Sequence, residues 1–164
     1  MSDNHVLIEV IDSKSPGSEH VPARRLGDDE WEIIRSPLYA TEVASGDVIR
    51  VDREKTGGFE IIRRGGNVCV QFYLSEDKID DAEATSLLAN ELRVLIEPLN
   101  GCIDATTPGL ISLTIPVAVG FQKIEGVLEV AVERWPNSQW QYANVYNPIT
   151  GEPLGWWNDA HYIN

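Results

Sequence analysis

The stretch Val68–Gly101, VCVQFYLSEDKIDDAEATSLLANELRVLIEPLNG, changes period part-way along, and that change decides the fold class. Its opening run, Val68 to Leu74, is rich in β-branched and aromatic residues and follows the turn Gly65-Gly66-Asn67, which predicts a strand. After Leu74 the grammar becomes helical. Ala82, Leu87, Leu88, Leu92, Leu95, Ile96 and Leu99 recur at intervals that make one apolar face, in a helix beginning near Asp81. Ser75 or Asp80 supplies the expected cap, and Asn100-Gly101 ends the helix.

Downstream, Cys102–Thr106 and Leu110–Ile115 read as strands either side of Thr107-Pro108-Gly109, and Pro116 ends the second. A second helix is expected from Gly120 to Arg134, where Phe121, Ile124, Leu128 and Val132 fall on one side and Val127, Val130 and Ala131 widen it. Gln139–Tyr146 then alternates like a final strand. The order strand, helix, hairpin, helix, strand predicts a split α/β sandwich, with two helices on one face of a mostly antiparallel sheet.

Upstream, Val6–Ile11, Trp31–Ile34, Val48–Asp52 and Phe59–Arg63 read as short strands, with Ser13–Ser18 as a turn. Together with Val68–Leu74 they make five strands with Gly-rich turns, which predicts a small curled β-sheet or partial barrel in the first half. In the turn Ser45-Gly46-Asp47, Gly46 supplies a strained backbone angle and the Asp47 carboxylate caps neighbouring amides. The expected class is therefore α+β. Residues 1–66 form a β-rich lobe, 67–146 an α/β lobe, and 147–164 an aromatic tail packed on the domain.

Charge narrows the partners. The chain has 26 Asp and Glu against 13 Lys and Arg, a net charge of -13 on 164 residues. Residues 1–80 carry 16 acids and 10 bases and residues 81–164 carry 10 and 3, so the second half is poorer in positive charge. Such a molecule repels nucleic acid and anionic membrane and favours a basic protein partner. No apolar run approaches the roughly 20 residues of a membrane span. The start, Met1-Ser-Asp-Asn-His5, has no secretory pattern, so a cytoplasmic location is expected. Cys69 and Cys102 are expected to be buried free thiols of a reducing compartment.

Chemistry-bearing motifs are scarce. His5, His20 and His161 are scattered and the cysteines lack the close spacing of a zinc site, so no metal or other cofactor is expected. Gly57-Gly58 and Gly65-Gly66-Asn67 lack the Lys-Ser or Lys-Thr of a phosphate loop and the three-glycine spacing of a dinucleotide turn. Neither Asp28-Asp29 nor Asp80-Asp81 is placed across a substrate by its spacing. A non-enzymatic role is the expectation.

Two features point to a binding surface. On the second predicted helix Glu125, Glu129 and Glu133 form a ridge at spacing four, whose mutual repulsion is more easily retained if a partner meets it. The C-terminal region then brings Trp135, Trp140, Tyr142, Tyr146, Trp156 and Trp157, interleaved with Glu152 and Asp159. Aromatic anchors ringed by acids suit a basic surface, while a flap folded on its own domain is the structural alternative. The partner-binding set expected is Glu125, Glu129, Glu133, Trp135, Trp140, Glu152, Trp156, Trp157 and Asp159.

The elements Pro37-Leu-Tyr-Ala40, Gly46-Asp-Val-Ile49, Gly66-Asn-Val-Cys-Val70, the long helix ending at Asn100-Gly101, and Leu113-Thr-Ile-Pro116 resemble a bacterial domain-of-unknown-function family over most of residues 5–146. The resemblance implies a compact two-part α/β domain and supplies no catalytic residues. Some proteins that look like this are small partners encoded beside polymorphic bacterial toxins. The resemblance therefore points to an immunity function. With the charge excess, the aromatic tail and the lack of a chemical cluster, the expectation is an immunity protein that binds a cognate toxin with a basic surface and covers it, monomeric or weakly dimeric when free. The alternative is a small-ligand binder or unfamiliar enzyme with a site between the two lobes.

Overall fold

The computed structural model describes residues 4–10 and 17–158. In chain order its elements are β1 (His5–Val10), β2 (Gly17–Arg25), β3 (Glu30–Ile33), β4 (Val48–Val51), β5 (Phe59–Arg63), β6 (Asn67–Tyr73), α1 (Ala82–Ile96), β7 (Cys102–Thr107), β8 (Leu110–Pro116), α2 (Phe121–Arg134) and β9 (Gln139–Tyr142). They make two antiparallel sheets, one of order β1-β2-β3-β4-β5 and one of order β7-β8-β6-β9. The expected turn at Ser13–Ser18 lies largely outside the described residues.

The second half follows the β-α-β-β-α-β order of a ferredoxin-like unit. Val68, Val70 and Phe72 of β6 and Ile111, Leu113 and Ile115 of β8 point to one side and are buried. There they meet Leu88, Leu92 and Ile96 of α1 and Ile124, Leu128 and Ala131 of α2 in one core. Helix α1 is capped by Asp81, whose carboxylate accepts the Ala84 N–H at 2.9 Å, in place of the expected Ser75 or Asp80. Ser75 instead precedes a single 3₁₀ turn. Leu87, placed by its spacing on the apolar face, is 55% exposed. After a further 3₁₀ turn, Asn100 takes a left-handed conformation with φ 61° and reverses the chain, as the Asn-Gly signal predicts.

The first half corrects the sequence reading. Its sheet is open: β1 and β5 lie at opposite edges of a simple meander and do not pair, so it is neither curled on itself nor a partial barrel. A backbone bond from Glu9 N to Gly57 O, 3.0 Å, ties edge strand β1 to the β4–β5 turn. The glycines read as signs of curling serve close approach instead. A Cβ on Gly65 would lie 2.4 Å from the Gly46 carbonyl carbon, so the turns before β4 and before β6 touch backbone to backbone.

Strand β6, counted both among the five of the first half and as the opening strand of the 67–146 lobe, pairs only in the second sheet, as the lobe boundary has it. The fifth strand of the first sheet is β2, GSEHVPARR, whose polar composition and Pro22 hide it. Residues 17–22 pair with β1 and 23–25 pair with β3, so β2 changes partner at the proline. Pro22 O accepts the Ile34 N–H at 2.9 Å, and the N–H that proline lacks is replaced by Ser45 Oγ, which donates to Ile34 O at 2.8 Å. An interior proline is thereby accommodated without an orphaned carbonyl.

The last strand is shorter than expected. β9 stops at Tyr142 because Asn144 turns its side chain into the sheet: its Oδ1 accepts the Cys69 N–H and its Nδ2 donates to Asn67 O, both at 2.9 Å. Ala143 N still donates to Cys69 O, and the buried side-chain amide takes over the bonds to Cys69 N and Asn67 O that a longer β9 would have made.

Candidate functional site

Two places in the fold bring polar and aromatic groups together. The first lies between the sheets. Alternation along β6 and β8 sends Cys69, Gln71, Ser112 and Thr114 to the face opposite the helices, and all four are buried. The β3–β4 connection covers them. Gln71 Nε2 donates to Leu38 O at 2.9 Å, Ser112 Oγ to Pro37 O at 2.9 Å, and Thr114 Oγ1 shares hydrogen bonds with Ser36 Oγ and Asp104 Oδ2. Asp104 also accepts the Ser36 N–H.

Nearby, the fully buried Asp47 accepts the Ala44 and Gly65 N–H groups, each at 2.9 Å, and the Arg64 guanidinium at 3.2 Å. Burial pushes its carboxyl above the usual carboxylate value, against the pull of Arg64 and the two amides. This is the capping role that the Ser-Gly-Asp turn predicts. Among the described residues no buried side-chain nitrogen or oxygen lacks a partner. Such a satisfied layer fixes the two sheets against each other.

The thiols differ. Cys69 is buried, and burial pushes it up to about 12; Cys102 is exposed, contrary to expectation, and desolvation followed by its bond to Asp104 raises it to about 11. Both are protonated at neutral pH, and neither is bridged. Among the described residues no three His, Cys, Asp or Glu side chains converge on a metal position.

The second place is an open groove of about 560 Å³ beside β9. Trp140 and Tyr142 stand two residues apart on β9 and so share a face, their rings edge-on at 5.1 Å. Tyr146 lies 6.4 Å from Tyr142, and Glu125 of α2 accepts the Tyr142 hydroxyl at 3.0 Å. Burial, then the hydrogen bond and charge of Glu125, push the Tyr142 phenol well above its usual value. Gln141, Ala143, Asn147 and Pro148 complete that side, and Thr41 reaches in from the β3–β4 connection. Thr41 is held by its neighbour Glu42, whose φ of 76° is unusual for a bulky residue. Two bonds hold that conformation: Glu42 N donates to Ala143 O at 2.9 Å, and Glu42 O accepts from Arg64 Nη1 at 2.7 Å. Among the described residues no lysine, arginine or histidine lines the groove.

The structure divides the expected site residues. Glu125 and Trp140 line the groove. Glu129 and Glu133 are exposed further along α2, and Glu152 is exposed in the turn after Asn147; none of the three lines it. The remaining tryptophans are tied into the chain itself. Trp135 donates its indole N–H to Glu91 at 2.6 Å and lies under Lys78. Trp156 donates to Asn144 O at 2.9 Å and stacks 5.3 Å from the Arg64 guanidinium. Trp157 packs edge-on against Phe121 at 5.1 Å. Asp159, like His161, lies outside the described residues. Tyr142 and Tyr146 were legible as members of the aromatic region, but Thr41, about a hundred residues away, carries no signal of its own.

A family model described as a domain of unknown function (DUF4265) matches residues 19–135. No curated protein matches the chain. Among solved structures, one described as a novel crystal structure of a hypothetical protein from Neisseria gonorrhoeae is similar, with a TM-score of 0.65 at 17% identity. The match covers 87% of this chain and 95% of that one, and it shows a shared fold.

Proposed function

The chain belongs to the DUF4265 family, and we propose that this member is a partner-binding domain that acts as an immunity protein, seating a basic surface of a cognate bacterial toxin on the β9 groove. One observation carries the reading: an open, aromatic-walled groove with a carboxylate and no basic lining residue among those described, on a chain of net charge -13. Rings offer faces that attract a cation as well as apolar area, and Glu125 keeps one carboxylate oxygen beyond its bond to Tyr142 for pairing. The overall charge steers a basic partner towards it and repels anionic competitors.

The exposed Glu129 and Glu133 extend the negative surface along α2 and serve encounter rather than anchoring, as rim charges do. Trp156, bonded to Asn144, and Trp157, packed on Phe121, support the face, while Trp135 is tied to Glu91 of α1.

The test is capture of the bound protein from the producing cell, followed by binding and toxicity assays with Glu125→Lys and Tyr146→Ala. Both positions are on the surface, so thermal melts should stay close to the parent. The expected result is a basic protein whose toxicity the parent neutralises and whose affinity falls at least about 30-fold in each variant, near the 2 kcal/mol of an interface anchor. Neutralisation that is undiminished in both variants rejects this face.

A further inference from the structure

Strand β9 is an edge of its sheet: β6 lies on one side, and no strand pairs with the other among the described residues. The direction of its free backbone groups follows from one bond. Ala143 N donates to Cys69 O at 2.9 Å, in line with the register that sets Gln141 opposite Gln71 and Trp140 opposite Phe72. Antiparallel ladders alternate, so Gln141 and Gln139 turn their N–H and C=O groups to β6 while Trp140 and Tyr142 turn theirs outward. Trp140 and Tyr142 both line the groove.

The other edge of this sheet is differently made. β7 carries a register shift between Ile103 and Ala105, with the Asp104 side chain bonded to Ser36 and Thr114. A bulge of that kind spoils an edge for pairing. β9 has no such irregularity.

We infer that the groove takes its partner as an added β-strand, an extended basic segment that pairs with the backbone of Trp140 and Tyr142. This rests on the partner-binding reading above and specifies its mode. Two outward residues offer two N–H and two C=O groups, enough for four backbone bonds. The side chains of an added strand alternate between faces. Those on the helix side meet the Trp140 and Tyr142 rings and the Glu125 carboxylate, which suits Arg or Lys at every second position. Those on the other side meet Gln141 and Thr41, which suits small polar residues. A second copy of this chain is the poorer occupant, because it would bring another -13 and another Glu125 to the same edge.

The probe is a labelled seven-residue peptide alternating Arg and Thr, with three relatives: alternating Glu and Thr, the Arg and Thr residues in separate blocks, and the alternating peptide N-methylated throughout. Affinities are measured with the full-length protein, and amide hydrogen exchange is followed residue by residue by NMR. The expected result is saturable binding of the alternating basic peptide, at least tenfold weaker for the other three. In the complex, exchange at Trp140 and Tyr142 should slow at least tenfold.

If the methylated peptide binds equally and those two amides stay unprotected, while Glu125→Gln still weakens binding, the added strand is overturned and the basic-partner reading survives. If no basic peptide saturates, or the acidic one binds as well, the reading fails and the inference with it. Protection of the same amides that grows with protein concentration and without peptide assigns the edge to a second copy and overturns the proposal.

Discussion

The two faces of the β7-β8-β6-β9 sheet are both buried, yet they are held by different physics. Under α1 and α2 the face is apolar, and Val70, Phe72, Ile111 and Leu113 pack without directional demands. Under the β3–β4 connection the face is Cys69, Gln71, Ser112 and Thr114, and every one of these groups has a hydrogen-bond partner. The apolar face accepts any partner of the right shape. The polar face accepts only a backbone that places Ser36, Pro37 and Leu38 where they are, so it fixes how the first sheet sits on the second.

That contrast is open to test by substitution. Phe72→Ala on the apolar face should cost about 3–5 kcal/mol in urea unfolding, since it removes a fully buried ring from under two helices. Asp47→Ala, in the polar region between the sheets, should cost about 3 kcal/mol, because it leaves a largely buried guanidinium without its carboxylate. The Ala44 and Gly65 amides lose their acceptor as well. A loss below about 1 kcal/mol there would mean that the sheets are held by apolar contact alone.

Ser112→Ala should cost about 1–2 kcal/mol despite removing a single atom, because the Ser36 and Pro37 carbonyls lose a donor in a buried layer. Equal stability for Ser112→Ala would show that water enters this layer and would erase the difference between the faces.

The smallest effect belongs to the groove. Tyr142→Phe should change stability at neutral pH by less than about 1 kcal/mol, the weight of a solvent-accessible hydrogen bond. Its signature is in alkali. The folded state holds the Tyr142 proton more tightly than the usual phenol value of 10.0, so that contribution is intact below pH 10 and is lost as pH rises above it. Melting temperature above pH 10 should therefore fall less steeply in the Phe variant than in the parent. Parallel curves would mean that Tyr142 is no more desolvated than a surface tyrosine.

Much of the second half was legible because its signals are local. The period change after Leu74, the Thr107-Pro108-Gly109 turn and the 120–134 apolar stripe can each be read within a short window of neighbours. The first half was read with a strand missing. β2 lacks alternation and contains Pro22, and its place depends on Ser45, 23 residues away, replacing one hydrogen bond. Val68–Leu74 made the count up to five strands with Gly-rich turns, the pattern of a curled sheet, although the same run also opens the 67–146 lobe. The aromatic tail was legible as a cluster but not as a site. Only the contacts of Trp135, Trp156 and Trp157 with Glu91, Asn144 and Phe121 separate supporting rings from the ones that face the groove.

By itself the sequence determined the helices, the β7–β8 hairpin, the α+β class and the negative field, since periodicity, turn chemistry and charge are properties of neighbouring residues or of their sum. Tertiary structure decided which sheet β6 joins, which edge stays open and which rings remain exposed. These depend on partners such as Asn144 with Cys69, Asp104 with Ser36, and Glu42 with Ala143, and a hydrogen bond between residues 68 to 101 positions apart leaves no period in the chain.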